Sequence, residues 1–225
     1  MVLSSIPMAN SKQESESESY LKRFRESENP WVSLSRDLLW VVGVVGGFAL
    51  ILFLVSGTWP ALVTIESESM VPHMNVGDLV FVVDEDRFGG LTTWVQGKET
   101  GYTHFSDYGD VIIYQPNGEA SVHPIIHRAM MYEDGNPGGY ITKGDNNQLI
   151  DQQGYYPGIG VIQPVQKEWI VGKALFAIPL LGYPALHLFE FAAVVIVLML
   201  LYEMFQGRKE NAGAVKQVAG KRKKR

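Results

Sequence analysis

The chain has 225 residues, 46% of them hydrophobic and 19% charged, with 24 acidic against 19 basic side chains, a formal net charge of −5 and no cysteine. That length suits one domain plus membrane segments, because domains run roughly 100 to 200 residues, and argues against a second soluble domain. The absent thiol excludes a disulfide framework and a thiolate metal site, and the acidic balance disfavours nucleic acid, whose phosphates need clustered Lys and Arg.

Residues 1–37 form a polar leading segment that carries the run Ser11-Lys12-Gln13-Glu14-Ser15-Glu16-Ser17-Glu18-Ser19. Its first 30 residues hold too little apolar surface to offset the entropy of ordering, so disorder is expected there. From Leu38 to Ile65 no charged residue occurs. A bilayer core takes about 20 apolar residues as a helix, and membrane helices tolerate glycines such as Gly43, Gly46 and Gly47. A transmembrane helix is therefore predicted from Leu38 to Val55 within a membrane segment 38–57, with Trp59 at the interface. A cleavable leader has an apolar core of only about 7 to 15 residues behind a short basic start, so an uncleaved anchor is expected.

The segment 58–183 reads as an extracytoplasmic, mainly β domain. Short apolar or β-branched runs bounded by Gly, Pro, Asn and Asp occur at 79–83, 111–114, 120–131, 140–142 and 169–177, the pattern of strands joined by long connections. Gly135-Asn136-Pro137-Gly138-Gly139 predicts a hairpin turn, since Gly and Asn reach positive φ cheaply. The polar, glycine-punctuated stretch 84–107 reads as a mobile excursion. A second transmembrane helix is predicted over 184–206, with His187 and Glu190 near its outer end, where polar side chains reach headgroups. A monotopic or buried helix over 191–205 is the alternative.

Orientation follows from charge. The tail 207–225 holds eight basic residues against Glu210 alone, so it stays cytoplasmic and flexible, and two spans then put the amino terminus on the same side. Lys22, Arg23, Arg25 and Arg36 agree. Between the spans, Glu66 to Lys173 carries six basic and fifteen acidic residues, or −9 net, and faces outward at the cell membrane.

Ordered blocks stand out along the chain: Ser67-Glu68-Ser69-Met70-Val71-Pro72, then Gly77-Asp78 and Tyr108-Gly109-Asp110, then Ile126-His127-Arg128, and finally Thr142-Lys143-Gly144-Asp145-Asn146-Asn147 with Asp151 beyond. A serine is a poor nucleophile until a base takes its proton, and a neutral imidazole near pH 7 can accept that proton and return it to a leaving amine. Ser69 and His127 are the candidates. His123 suggests a metal pair with His127, but Pro124 argues against the helix that spacing needs and no third ligand is evident, so no metal is expected. Asp145 and Asp151 compete to orient the imidazole; as turn caps beside Gly and Asn they would have an ordinary structural role. Lys143 is the alternative base, if buried and neutral.

These blocks resemble type I signal peptidases, on the archaeal and endoplasmic-reticulum side of that family, where histidine holds the place lysine has in bacteria. The resemblance covers roughly residues 38–185. It implies a signal-peptidase-like antiparallel β fold and a membrane-bound serine endopeptidase that removes signal peptides from exported preproteins through a Ser69 acyl-enzyme, without cofactor. It implies Asp151 in the triad, Asp145 as a supporting carboxylate, Ser67 with the Ser69 backbone N–H as the oxyanion hole, and Met70 and Pro72 shaping the substrate groove. Partners would be preproteins, membrane lipid and secretion-machinery subunits. Two departures stand out: Glu68 where glycine is frequent, and His73-Met74 where a small residue precedes an apolar one. The alternative is a non-catalytic, membrane-anchored subunit that binds peptide or acts as a scaffold.

Overall fold

The computed structural model describes residues 24–203. The serine–glutamate repeat and the basic tail, on which disorder and flexibility were expected, lie outside the described residues. Residues up to Val55 and from Ser56 onward form separate compact units.

The first unit is built on a 27-residue helix, α1, Pro30–Ser56. It begins earlier than the predicted Leu38. Trp31 N–H donates to Asn29 Oδ1 at 3.0 Å and Ser33 N–H to Asn29 O at 2.9 Å. Asn29 is thus a side-chain cap, and Pro30 sits where no helical donor is needed. The uncharged run marks only the apolar part of a helix whose first turns are polar. Side chains such as Leu39, Phe48 and Leu54 are about 60% exposed, and among the described residues α1 alone is long and apolar enough to cross a membrane.

The second unit is the mainly β domain. Its strands are β1 Leu62–Thr64, β2 Leu79–Val83, β3 Thr103–His104, β4 Asp107–Tyr108, β5 Val111–Tyr114, β6 Ile125–Glu133, β7 Gly139–Lys143, β8 Tyr155–Tyr156, β9 Gly160–Val161 and β10 Ile170–Ile178. Six of them form one antiparallel sheet in the order β1-β2-β10-β5-β6-β7. β5 reads as unbroken apolar sequence because both its faces are covered. Val111 and Ile113 pack with Ile65, Met70, Met74, Val80, Val82 and Ala174, whereas Ile112 and Tyr114 pack with Ala129, Ile162 and Val165. The β6–β7 hairpin turns through the predicted glycine-rich segment.

The stretch 84–107 differs from its expectation. It contains α2, Trp94–Thr100, opened by a capping box in which Thr93 accepts from Gln96 N–H and Gln96 accepts from Thr93 N–H, a helix-start signal that glycine counting overlooks. Thr92 N–H and the Tyr102 hydroxyl donate to the two oxygens of buried Asp110, at 2.9 and 2.8 Å. The Gly-Asp of Tyr108-Gly109-Asp110 is therefore a structural staple. Gly109, at φ +72°, brings its backbone so close to Trp94 N that a Cβ would lie 2.5 Å away, which reserves the position for glycine.

After β10 the chain turns through α3, Tyr183–Leu186, breaks at His187 and is helical again over residues 188–203. The rest of the expected second span lies outside the described residues.

Candidate active site

Ser69 sits in a short 3-10 turn, Glu68–Met70, which Ser67 precedes as cap residue and which follows the end of β1 by three residues. Met70 anchors this turn: its side chain has no exposed surface and belongs to the core. Burial of Met70 leaves its neighbour Ser69 partly exposed. Met70 points inward, and Pro72 is exposed without lining the cavity that holds Ser69.

His127 lies in β6 opposite Ile112 of β5. Strand alternation puts it on the face shared by Ile112 and Tyr114, where Asp151 enters at the start of a 3-10 turn, Asp151–Gln153. His127 Nδ1 is 2.7 Å from Asp151 Oδ2. The same oxygen accepts from the Tyr114 hydroxyl at 2.8 Å and the Thr142 hydroxyl at 2.6 Å, and Oδ1 accepts from the Tyr156 hydroxyl at 3.1 Å. With Nδ1 committed to a carboxylate, Nε2 is the acceptor of the neutral ring. Burial works to raise the Asp151 carboxyl, but donation from His127, the His127 charge, and the Thr142 and Tyr114 hydroxyls outweigh it and hold the group below the ordinary carboxylate value. The Tyr114 hydroxyl is pushed up by burial and by the Asp151 charge, so it stays a neutral donor.

Gly144 joins the two halves. A Cβ there would stand 2.7 Å from Ser69 O, 2.9 Å from His127 Nε2 and 2.7 Å from Asn147 Nδ2. The backbone of the Lys-Gly-Asp block thus touches the serine turn and the imidazole at once, and a side chain would force them apart. The next residues grip the turn: Asn146 N–H donates to Ser69 O at 2.8 Å and Asn146 Nδ2 to Glu68 O at 3.1 Å.

Ser67, Ser69 and His127 line one open cavity of about 340 Å³. Val63, Thr64 and Glu66, from β1 and the residues after it, line the same cavity, as do Pro124, Ile125 and Ile126 at the start of β6, and Asn147 and Tyr156. The Ser67 and Ser69 hydroxyl oxygens are 3.1 Å apart. His123 Nδ1 stands 3.4 Å from Glu66 Oε2, across the rim.

Asp145 and Asp151 are separated by this geometry. Asp145 accepts a fork from Arg128, Nε at 2.8 Å and Nη2 at 2.7 Å, and lies 2.7 Å from His73 Nδ1. Arg128 is 1% exposed and also donates to the carbonyls of His104, Tyr108 and Gly109. Lys143 is the cross-strand partner of Arg128 and lines a different cavity, with Trp94, Asp107 and Asp145. Neither Lys143 nor Asp145 lines the cavity of Ser69. The sequence reading missed Tyr114, Thr142, Tyr156 and Gly144. Thr142 carried a signal, since it heads the Lys-Gly-Asp block; the two tyrosines carried none.

No family model matches the chain. It is 29% identical over 141 residues to the signal peptidase complex catalytic subunit sec11 of Pyrenophora tritici-repentis, a match spanning 62% of this chain and 69% of that one. To the SEC11 catalytic subunit of Leptosphaeria maculans it is 30% identical over 141 residues, again 62% and 69% of the two chains. The sec11 subunit of Dictyostelium discoideum matches at 25% over 156 residues, 68% of this chain and 75% of that protein.

Proposed function

The chain belongs to the family of signal peptidase complex catalytic subunits, and from that premise we propose that it removes signal peptides from preproteins with Ser69 as nucleophile, His127 as general base and Asp151 as the orienting carboxylate. The observation that carries the assignment is the commitment of His127 Nδ1 to buried Asp151, with Nε2 turned to the Gly144 contact that also holds Ser69.

Nε2 takes the Ser69 proton as Oγ attacks the scissile carbonyl, and Asp151 stabilises the imidazolium that forms. The tetrahedral oxyanion is met by the Ser69 N–H and the Ser67 hydroxyl. Collapse returns the proton from Nε2 to the leaving amine and leaves the leader as an ester on Ser69, which water, deprotonated by His127, then hydrolyses. Asp145 supports the site from outside through Arg128. β1 is an edge of the sheet, and its residues Val63 and Thr64 line the cavity, which supports docking of the leader as an added strand against that edge, facing Ile125 and Ile126.

α1 serves as an anchor that keeps enzyme and leader on one membrane surface. In the two-pass arrangement favoured by the Lys and Arg bias, a second span over 184–206 returns the basic tail to the cytoplasm and leaves the β domain outside. Secretion-machinery subunits and lipid are the proposed partners.

The test compares several preproteins in membranes that carry the wild-type or the Ser69→Ala protein. Processing at one position in each substrate by the wild type, lost with Ser69→Ala, is the expected result. Undiminished processing by Ser69→Ala would mean that the β domain serves as a non-catalytic binding subunit.

A further inference from the structure

The serine turn is held from three points. Two are the Asn146 bonds to the carbonyls of Glu68 and Ser69, which fix its front. The third is at its rear, where His73 Nδ1 meets Asp145 Oδ2 at 2.7 Å. Asp145 is itself immobilised by the Arg128 fork, and Arg128 is buried and tied to three backbone carbonyls. Arg128 follows His127 along β6.

A continuous strut therefore runs from the strand that carries the imidazole, through Arg128 and Asp145, to His73 and back along the turn to Ser69. Each link is a short, charge-assisted contact, and the Asp145 side chain is only 5% exposed. We propose that His73 is a positioning residue for this peptidase: by donating from Nδ1 to Asp145 it sets the separation of the Ser69 hydroxyl from His127. The proposal rests on the reading of Ser69 and His127 given above. His73 does not line the cavity of Ser69, so its loss acts on the placement of the nucleophile and leaves the groove for the leader intact.

The side chain chemistry supplies a discriminating test. The Nδ2 of asparagine stands in the same relation to Cγ as the Nδ1 of histidine, so His73→Asn keeps a donor aimed at Asp145, whereas His73→Ala removes it. The full-length protein in detergent micelles is assayed on one preprotein in four forms: wild type, His73→Ala, His73→Asn and Ser69→Ala. Misplacement of a reacting group by about 1 Å can cost about 100-fold, so His73→Ala is expected to lower kcat by about 10- to 100-fold with KM within about twofold. His73→Asn is expected to recover kcat to within about fivefold of wild type, a rescue that mere loss of stability would not show. The proposal is overturned if His73→Ala keeps kcat within twofold of wild type, if the alanine and asparagine forms are equally slow, or if the loss lies wholly in KM. Cleavage by Ser69→Ala at the wild-type rate is a separate outcome: it removes the nucleophile reading and, with it, the positioning role.

Discussion

Replacing Asp151 with asparagine isolates the charge of the carboxylate from its hydrogen bonds. Two hydroxyls, those of Tyr114 and Thr142, donate to Oδ2 beside His127 Nδ1. An asparagine must therefore put its carbonyl oxygen there and turn its amide towards the Tyr156 hydroxyl, which can accept. His127 keeps the same tautomer, with Nε2 still the acceptor. What disappears is the attraction between a carboxylate and the imidazolium formed in the reaction. With charge centres about 4 Å apart and an effective dielectric constant near 20, that attraction is about 4 kcal/mol, or about three decades in rate. The assay is kcat for preprotein cleavage at pH 7, with a thermal melt to confirm folding. A folded Asp151→Asn protein within about tenfold of wild-type kcat would refute the reasoning, because the buried carboxylate would then contribute only geometry.

Gly144→Ala places a methyl against Ser69 O, which is backbone, and His127 Nε2; cleavage should fall at least about tenfold while overpacking lowers stability by about 1 to 3 kcal/mol, read by initial rates and melting. Thr142→Val removes one donor from Asp151 and should cost about 1 kcal/mol in a denaturant titration. Because the folded Asp151 carboxyl lies below its ordinary value, its contribution to stability is complete above the unfolded value of about 3.9 and is lost as pH falls through the lower folded one. Asp110, raised by burial but lowered further by His104, Thr92 N–H and Tyr102, acts in the same direction. Melting temperature should thus fall as pH drops below about 4, and fall less steeply in Asp151→Asn; an unchanged slope would exclude the Asp151 network from acid unfolding. Lys143→Ala should leave kcat within about threefold of wild type, since Lys143 lines another cavity; loss of activity there with survival of His127→Ala would reverse the choice of base.

Strands β2 and β5 were legible in the sequence because their burial on both faces writes an unbroken apolar run, and the β6–β7 hairpin because Gly, Asn and Pro punctuate the segment between its strands. β1 was not: three residues inside a longer uncharged segment carry no period of their own. The start of α1 was written in Asn29-Pro30, a cap signal rather than a hydropathy signal. Of the candidate site, Ser69, His127 and Asp151 could be proposed from ordered blocks, but the environment of Asp151 could not. Tyr114, Thr142 and Tyr156 reach it from β5, β7 and β8, and only the tertiary fold makes them neighbours. The inward side chain of Met70 was not legible for a related reason, since a residue beside a candidate nucleophile in sequence can face the core as readily as a groove.

The central claim is that the hydroxyl of Ser69 becomes esterified during cleavage. Full-length protein mixed with a preprotein, quenched in acid within one turnover and mapped by mass spectrometry should carry the leader peptide on Ser69. A burst of cleaved product without any adduct on that residue, together with wild-type turnover by Ser69→Ala, would contradict the account.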